Sequence, residues 1–427
     1  MKNTYSEMKN SGVAWIGDIP LHWTLTKMKC FLYNKSVKGY PQEQVLSLYR
    51  EFGVIPKDSR NDNHNVTSED TAAYKYVEAG DLVINKMKAW QGSLGVSEYT
   101  GIVSPAYYVC GFKSKNANKH YFHYMLRSKN YAQEFECLST GMRIGQWDLG
   151  IDDFMRVPAI LPPLPEQTAI AAYLDEKCGT IDEIIAEAKA SIEEYKMWKS
   201  SVIFEAVTKG LDPNTEMKDS GVEWIGKVPK IWKVTSLKRV SRIQTGNTPS
   251  KQSQENYYSD DDGTPWIKAD NLGTCNSIET TSEYLTAKGV EAARLNPENT
   301  VYVCCIGTIG KTGFSTKKCT CNQQINAVVF NDLMFWKFGF YSICAQEEQH
   351  WFYANGNVLK ILNTENQKNI KITIPPMKEQ RCIVDYLDKK CAAIDGIIAE
   401  KEALIADMEA YKKSLIFETV TGKRKVC

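Results

Sequence analysis

The stretch CIGTIGKT, residues 305–312, carries the end of a phosphate-binding loop: Gly310, Lys311 and Thr312 stand where backbone amides and a lysine would cradle a nucleotide. Cys305 replaces the first glycine of that pattern, which compromises the turn that aims the amides, and no acidic strand end stands out to hold magnesium. A hairpin or loop with a basic tip is the better reading. Cys304, Cys305, Cys319 and Cys321 are adjacent or one residue apart, whereas a structural zinc site uses cysteine pairs with two to four residues between them. Buried reduced thiols are therefore expected. His120 and His123 sit one helical turn apart with no third ligand evident, so they are expected to be structural. Methyl transfer to DNA would need an Asn/Asp-Pro-Pro-aromatic motif and a glycine-rich cofactor loop, and the Pro-Pro pairs in LPPLP and IPPMK do not fit. No nuclease-like Pro-Asp with Glu-x-Lys stands out either. In so long a chain, these failures point to recognition rather than catalysis.

The chain has 427 residues, enough for two or three domains, with 43% hydrophobic and 11% aromatic residues. Its thirteen cysteines are odd in number and follow no framework spacing. The polar N-terminus MKNTYSEMKNSG lacks a secretory apolar segment, and no apolar run approaches the roughly 18 residues of a membrane span. A cytoplasmic protein with reduced thiols and no membrane partner is expected. Net charge is only +1. Two mildly basic blocks, 20–160 and 214–373, flank an acidic segment at 166–209, so any anion-binding surface must be local.

The elements that would position such a surface are announced by repetition. SGVAWIGDIPLHW at 11–23 returns as SGVEWIGKVPKIW at 220–232, with eight of thirteen positions identical. LPPLPEQTAIAAYLDEKCGTIDEIIAE, from Leu161, returns from Ile374 as IPPMKEQRCIVDYLDKKCAAIDGIIAE, an offset of 213, and roughly half the positions stay identical through residue 208 without a gap. The chain is a tandem duplication: opening phrase, variable block, PPxxEQ, long helix, then all four again. In the first helix Leu174, Cys178, Ile181, Ile185, Ala188, Ile192, Tyr195, Val202 and Ala206 recur at spacings of four and three, interrupted by Lys199. The copy runs Leu387, Cys391, Ile394, Ile398, Ile405, Met408 and Leu415, with Lys401 and Lys412 as its polar interruptions. This is a coiled-coil stripe. Some 40 residues make a rod of roughly 60 Å, and two rods with matching stripes would pack on each other. Leu174, Ile181, Ile185, Ile192, Leu387, Ile394, Ile398 and Ile405 are the expected packing residues.

The variable blocks read differently. GDLVINKMKAWQGSLGVSEYTGIVSPAYYVC and NTVYVCCIGTIGKTGFSTKKCTCNQQINAVVF are short β-branched and aromatic runs separated by Gly and Ser, which predict strands and turns. Gly310 and Gly313 of the second echo Gly92 and Gly95 of the first. Beyond such landmarks the blocks share little: one scaffold with two different surfaces.

With both repeats, the PPxxEQ helices, MKAWQGSLGVSEYTGIVSPAY, WIKADNL and NQQINAVV in view, the chain resembles the specificity subunits of type I restriction-modification enzymes over essentially its whole length. The resemblance implies an α+β fold with a pseudo-twofold internal repeat, in which two mixed α/β target-recognition domains are separated by two long helices forming an antiparallel coiled coil. The corresponding boundaries are 1–160 and 214–373 for the domains and 161–213 and 374–427 for the helical spacers. It further implies that each domain reads one half of a split site in double-stranded DNA, that the helices set the gap, and that two modification (methyltransferase) subunits dock on the chain. The chain would be no enzyme and hold no cofactor: S-adenosylmethionine would sit on the modification subunits, and ATP and Mg on restriction (motor/nuclease) subunits joining outside. A P-loop-like nucleic-acid ATPase and a coiled-coil scaffold without DNA are the alternatives.

Base-edge contact needs Arg, Lys, Gln or Asn, and phosphates take Lys, Arg or amides. In the first block Lys86, Lys88, Trp90 and Gln91 share one polar-aromatic stretch, and Arg143 and Gln146 lie in GMRIGQW. In the second, Lys268, Asn271, Lys311, Gln323, Gln324, Asn326 and Lys360 occupy comparable places. Trp15, Trp23, Trp224 and Trp232 are expected as core residues rather than base stackers. By the logic of the repeat, another opening phrase should follow the second helix, and that phrase stands at the N-terminus instead. A circular arrangement is expected, with both phrases against the distal ends of the helix pair.

Overall fold

The computed structural model describes residues 4–50, 52–59, 71–113, 117–141, 147–250, 254–260, 262–356 and 360–426. The chain divides into two compact units, Met1–Lys189 with Glu402–Cys427, and Ala190–Lys401. Each therefore takes one variable block and part of each long helix, so the divisions fall inside the helices rather than at their ends.

In the first unit the elements are β1 (Met8–Asn10), β2 (Asp18–Pro20), β3 (Thr24–Lys27), β4 (Leu32–Lys35), β5 (Leu46–Tyr49), β6 (Gly53–Pro56), β7 (Lys75–Val77), β8 (Leu82–Asn85), β9 (Leu94–Val96), β10 (Gly101–Val103), β11 (Tyr107–Phe112), α1 (Lys119–Arg127), α2 (Lys129–Leu138), α3 (Ile151–Arg156), β12 (Pro158–Leu161) and the start of α4 (Leu164–Lys209, 46 residues). The opening phrase is the hairpin β1–β2, which delivers Ile16, Ile19 and Trp23 to the core. The variable block is closed at its base where β3 pairs antiparallel with β12, Thr24 opposite Leu161. Its main sheet has the order β4-β11-β8-β9. Strand β8 is buried on both faces: Leu82 and Ile84 join the core shared with α1, α2 and α3, while Val83 turns to a smaller core with Val77, Val103 and Val109. That is the period-two geometry of a strand whose apolar run, Leu82 to Ile84, faces a core on each side.

The second unit repeats the plan with β13 (Met217–Asp219), β14 (Lys227–Pro229), β15 (Lys233–Ser236), β16 (Ser241–Thr245), α5 (Gln254–Tyr257), β17 (Tyr258–Ser259), β18 (Thr264–Ile267), β19 (Thr274–Ser277), β20 (Tyr284–Leu285), α6 (Ala287–Ala292), β21 (Thr300–Cys304), β22 (Thr312–Ser315), β23 (Thr320–Cys321), β24 (Ile325–Phe330), α7 (Trp336–Cys344), α8 (Glu347–Tyr353), α9 (Thr364–Gln367), β25 (Lys371–Ile374) and the first part of α10 (Met377–Val420, 44 residues). Hairpin β13–β14 is the second phrase, β15–β25 the second base, and β16-β24-β21-β22 the counterpart of β4-β11-β8-β9. Strand β21 is likewise buried on both faces, with Val301 and Val303 on one side and Tyr302 and Cys304 on the other. The departures are the added β19, parallel to β22, and the sheet β17-β20-β18-β23.

The long helices pair antiparallel in each unit. In the first, Leu174, Cys178 and Ile181 of α4 share a core with Leu415 and Val420 of α10, and Lys412 binds Asp182 at 2.6 Å. In the second, Ile203, Ala206 and Val207 of α4 meet Ile383, Val384, Leu387 and Cys391 of α10, and Lys199 binds Asp395 at 2.7 Å. Ile192 and Ile394 are buried, while Ile185, Ile398 and Ile405 are only half-buried. Of the seam lysines, Lys199 and Lys412 are thus ion-paired and Lys401 lies 5.9 Å from the Tyr195 ring centroid.

The PPxxEQ motif is the joint between phrase and helix. Glu166 accepts hydrogen bonds from Trp23 Nε1 (2.9 Å) and Tyr5 (2.9 Å) and contacts His22 Nε2 at 2.6 Å. Glu379 does the same for Trp232 Nε1 at 3.0 Å. The neighbouring glutamines tie the helix start to the N-terminal end of the helical pair that precedes it in the chain. Gln167 accepts from Asn118 N and donates to Pro162 O, and Gln380 accepts from Phe335 N and donates to Pro375 O. The first phrase also meets the end of α10: Lys423 Nζ donates to Ile16 O at 2.7 Å, and Gly422 lies against Pro20 and Trp23. The second meets the end of α4, where Gly210 lies against Trp232. Both phrases therefore sit where one helix ends and the other begins, as the circular repeat requires.

Trp23 and Trp232 are fully buried, and Trp15 packs edge-on against Tyr131. Trp224 is half-buried and its ring lies 4.8 Å from that of Phe352, which is 63% exposed. Among the described residues no helix is long and apolar enough to cross a membrane.

Candidate nucleic-acid interface

In the first unit β8 runs out at Asn85, opposite Tyr107 at the start of β11. The chain continues through Lys86, Met87 and Lys88 into a short 3-10 turn, Ala89–Gln91, before β9 returns. Lys86 Nζ binds Asp148 at 2.7 Å, and Lys86 O accepts from Leu149 N at 3.0 Å. Trp90 donates from Nε1 to Met87 O and meets Trp147 with ring centroids 5.2 Å apart. Two segments far apart in sequence, 86–91 and the flank of 143–146, thus come together at one end of the sheet. Lys88 is exposed, and Lys86, Trp90 and Gln91 are half-buried. Arg143 and Gln146 lie outside the described residues. Sequence reasoning passed over Trp147, although an indole next to Gln146 in GMRIGQW was the available signal.

The corresponding end of the second unit is the β21–β22 turn. Strand β21 enters a hairpin and not a helix, so CIGTIGKT lacks the helix N-terminus that a phosphate loop needs. Its amides are also used: Gly310 N donates to Cys304 O and Lys311 N to Thr308 O. The basic-tipped hairpin read from the sequence is what forms, with Lys311 exposed. Cys305 N bonds Gln324 O and Leu362 N bonds Cys305 O, which gathers the 323–324 turn and the 360–362 segment beside the hairpin. Lys360 is exposed, its Nζ 5.7 Å from the Trp351 ring centroid. Gln323 is exposed and accepts from Thr248, while Gln324 is half-buried. Lys268 and Asn271 join this side because β18 pairs with β23 and Asn322 N bonds Ile267 O. Lys268 is ion-paired to Glu283 with its Nζ over the Trp266 ring, and Asn271 accepts from Lys268 N at 2.8 Å.

Asn326 is the exception. It is wholly buried: Oδ1 accepts from Thr245, and Nδ2 donates to Leu362 O and Gln367 Oε1. With every polar atom occupied it is a core residue and not a surface contact. The sequence hid this, because asparagine at the start of a strand reads the same whether its amide meets solvent or a buried carbonyl.

The clustered cysteines and His123 are packed among their own unit's elements. Cys304, Cys305, Cys319 and Cys321 are buried and unbridged, and burial pushes the Cys305 and Cys321 thiols up to about 12. Thiols so held do not favour the thiolate that zinc requires. Among the described residues no cluster of three or more metal-ligating side chains occurs. His123 is pushed down to about 3 by burial and by Arg127 and His120, and it packs against Gly53 and Gly95.

Comparison with known proteins agrees with this architecture. The family described as the type I restriction modification DNA specificity domain matches residues 229–405. The chain named as the MjaX type I restriction enzyme specificity subunit of Methanocaldococcus jannaschii is 23% identical over 431 residues, covering 96% of each chain. The HindI specificity subunit of Haemophilus influenzae is 30% identical over 172 residues, 39% of this chain and 36% of its own. In fold, a chain of a solved type I restriction-modification system matches with a TM-score of 0.70 at 14% identity, covering 94% of this chain and 98% of that one. Duplicated phrases, paired helices and two sheets that differ at corresponding ends accord with these likenesses: residues 229–405 match the type I restriction modification DNA specificity domain, and nearly the whole chain is similar to a specificity subunit.

Proposed function

We propose that this chain is the DNA-recognition subunit of a type I restriction-modification enzyme, each variable domain reading one half of a bipartite site in double-stranded DNA. The observation that carries this reading is the contrast between what is repeated and what is not. Phrase, base strands, PPxxEQ joint and helices recur, whereas Lys86–Gln91 with Trp147 in one unit and Lys311, Gln323 and Lys360 in the other differ in side chain at corresponding sheet ends. Differing side chains on a common frame are what two unrelated half-sites demand. The paired helices set the gap between half-sites and dock two modification subunits. Those subunits bring S-adenosylmethionine and the methyl-transfer chemistry, and restriction subunits bring ATP and Mg. The chain itself supplies recognition, in the cytoplasm where its partners and DNA reside.

Purifying the chain with its modification subunit and sequencing modified adenines in treated genomic DNA tests this. Expected is one two-part motif with a fixed gap, methylated only when both proteins are present. A contiguous motif, or methylation without this chain, overturns the proposal.

A further inference from the structure

Lys75 lies on β7, which pairs with β10 beside the first unit's main sheet. Its Nζ donates to Tyr107 O at 2.5 Å and lies 5.4 Å from the Tyr108 ring centroid. Tyr76 N bonds Val37 O at 2.8 Å, which brings Lys38 alongside, and the pairing of Tyr107 with Asn85 brings Lys86 to the same end. The neighbouring carboxylates are engaged elsewhere: Glu78 and Asp81 bind Lys35, and Asp148 binds Lys86. Among the described residues no carboxylate pairs with Lys75. Burial, then Lys38 and Lys86, lower its pKa, the expected response of an ammonium held near two others.

Folding has thus gathered three lysines and a tyrosine ring while leaving their charge under-neutralised. An ammonium has three donors, and the carbonyl of Tyr107 takes one. The others are free for an anion, with the Tyr108 face steadying the head group. Lys38 is exposed, and Lys86 and Tyr108 are half-buried, so the cluster opens to solvent beside the Lys86–Gln91 turn.

We propose that Lys38, Lys75, Lys86 and Tyr108 form the seat for the DNA phosphodiester backbone on the first domain, fixing the register in which the Lys86–Gln91 turn meets base edges. This rests on the recognition function proposed above. Lys75 and Lys38 position the duplex and carry no base preference of their own, so their removal weakens all sequences alike.

The test uses the full chain assembled with its modification subunit, titrated with a fluorescent random-sequence duplex at a series of salt concentrations. Lys75→Gln and Lys38→Gln are each expected to weaken binding severalfold and to reduce the slope of log K against log salt by about 0.9, one phosphate contact each. Lys75→Arg should keep the slope. Lys129→Gln, an exposed charge of the same sign on α2, should change neither quantity. Circular dichroism checks folding, and if Lys75→Gln unfolds, the exposed Lys38 carries the decision. Slopes equal to the unmodified chain's for both lysine variants overturn the seat. An unmodified complex that binds no duplex overturns the recognition function itself.

Discussion

Lys199 donates to both carboxylate oxygens of Asp395 at 2.7 Å, and Lys412 does the same to Asp182 at 2.6 Å. Lys199 and Lys412 are equivalents in the internal repeat, as are Asp182 and Asp395, each pair at the offset of 213. The lysine that breaks the apolar stripe of one helix thus meets an aspartate supplied by the other, and each unit contains one such pair. The Lys199 side chain is only 13% exposed while Asp395 is 54% exposed, so the interaction lies between a buried and a surface ion pair. Asp395→Ala should cost about 1 kcal/mol in urea unfolding. Lys199→Leu, which continues the stripe, should be neutral or stabilising. A Lys199→Asp, Asp395→Lys double variant that recovers none of the loss of its single variants would show that the pair does not couple.

Glu166 gathers three donors from the opening phrase. Burial acts to raise its pKa, but Trp23, His22 and Tyr5 outweigh it and hold the carboxyl below its ordinary range. Its contribution is therefore complete above the unfolded carboxylate value of about 4.3 and is lost as pH falls through the lower folded value. Glu166→Ala leaves the Trp23 Nε1 donor in the protein without its partner and should cost about 2 kcal/mol, read by urea denaturation at neutral pH.

His350 lies wholly buried beneath the β21–β22 hairpin, with neither ring nitrogen hydrogen-bonded. Burial pushes it down to about 4. An unfolded histidine takes up its proton near 6.5, so as pH falls from there toward 4 the unfolded state gains and stability drops. The loss should approach about 3 kcal/mol at the acid end. Melting curves of His350→Leu should fall less steeply than those of the unmodified chain across that window, and parallel curves would contradict this.

Two glycines in the helical region should respond in opposite senses. At Gly422, φ is +72° and a Cβ would stand 2.2 Å from Pro20 Cδ, so Gly422→Ala pushes the phrase off the end of α10 and should cost about 2 kcal/mol or more. Gly396 is inside α10, where a Cβ meets nothing within 4 Å, and Gly396→Ala should stabilise by about 1 kcal/mol. Thermal unfolding of the two variants measures both.

Asn326 and Gln323 separate core from surface within one motif, NQQIN. Asn326→Ala should cost about 2–3 kcal/mol, because it strands buried partners on Thr245, Leu362 and Gln367. Gln323→Ala should leave stability within about 0.5 kcal/mol and, under the proposed function, alter recognition of one half-site only. Sequencing of modified adenines distinguishes a change in one half-site from a general loss.

Much was legible before any coordinates. An ungapped repeat of the PPxxEQ helices can only be a duplicated element, and apolar residues at spacings of four and three must face a partner stripe. Cys305 in place of a glycine already spoke against a phosphate loop, and the hairpin bears that out. Less legible was what the repeated letters are for. Trp23 and Glu166 stand 143 residues apart, and nothing in either local sequence says that the indole of the opening phrase closes on the carboxylate of the PPxxEQ motif.

Linear order and period, then, were enough to establish two copies of one plan on a pair of matching helices, because helix periodicity and repetition are local properties written along the chain. The partner of each polar side chain was settled only by folding. Whether Lys199 breaks the stripe or pins it, whether Asn326 faces solvent or Leu362, and whether Lys75 has a counter-charge depend on what other strands and helices bring within about 3 Å, and hydrogen bonds and ion pairs act only at that range.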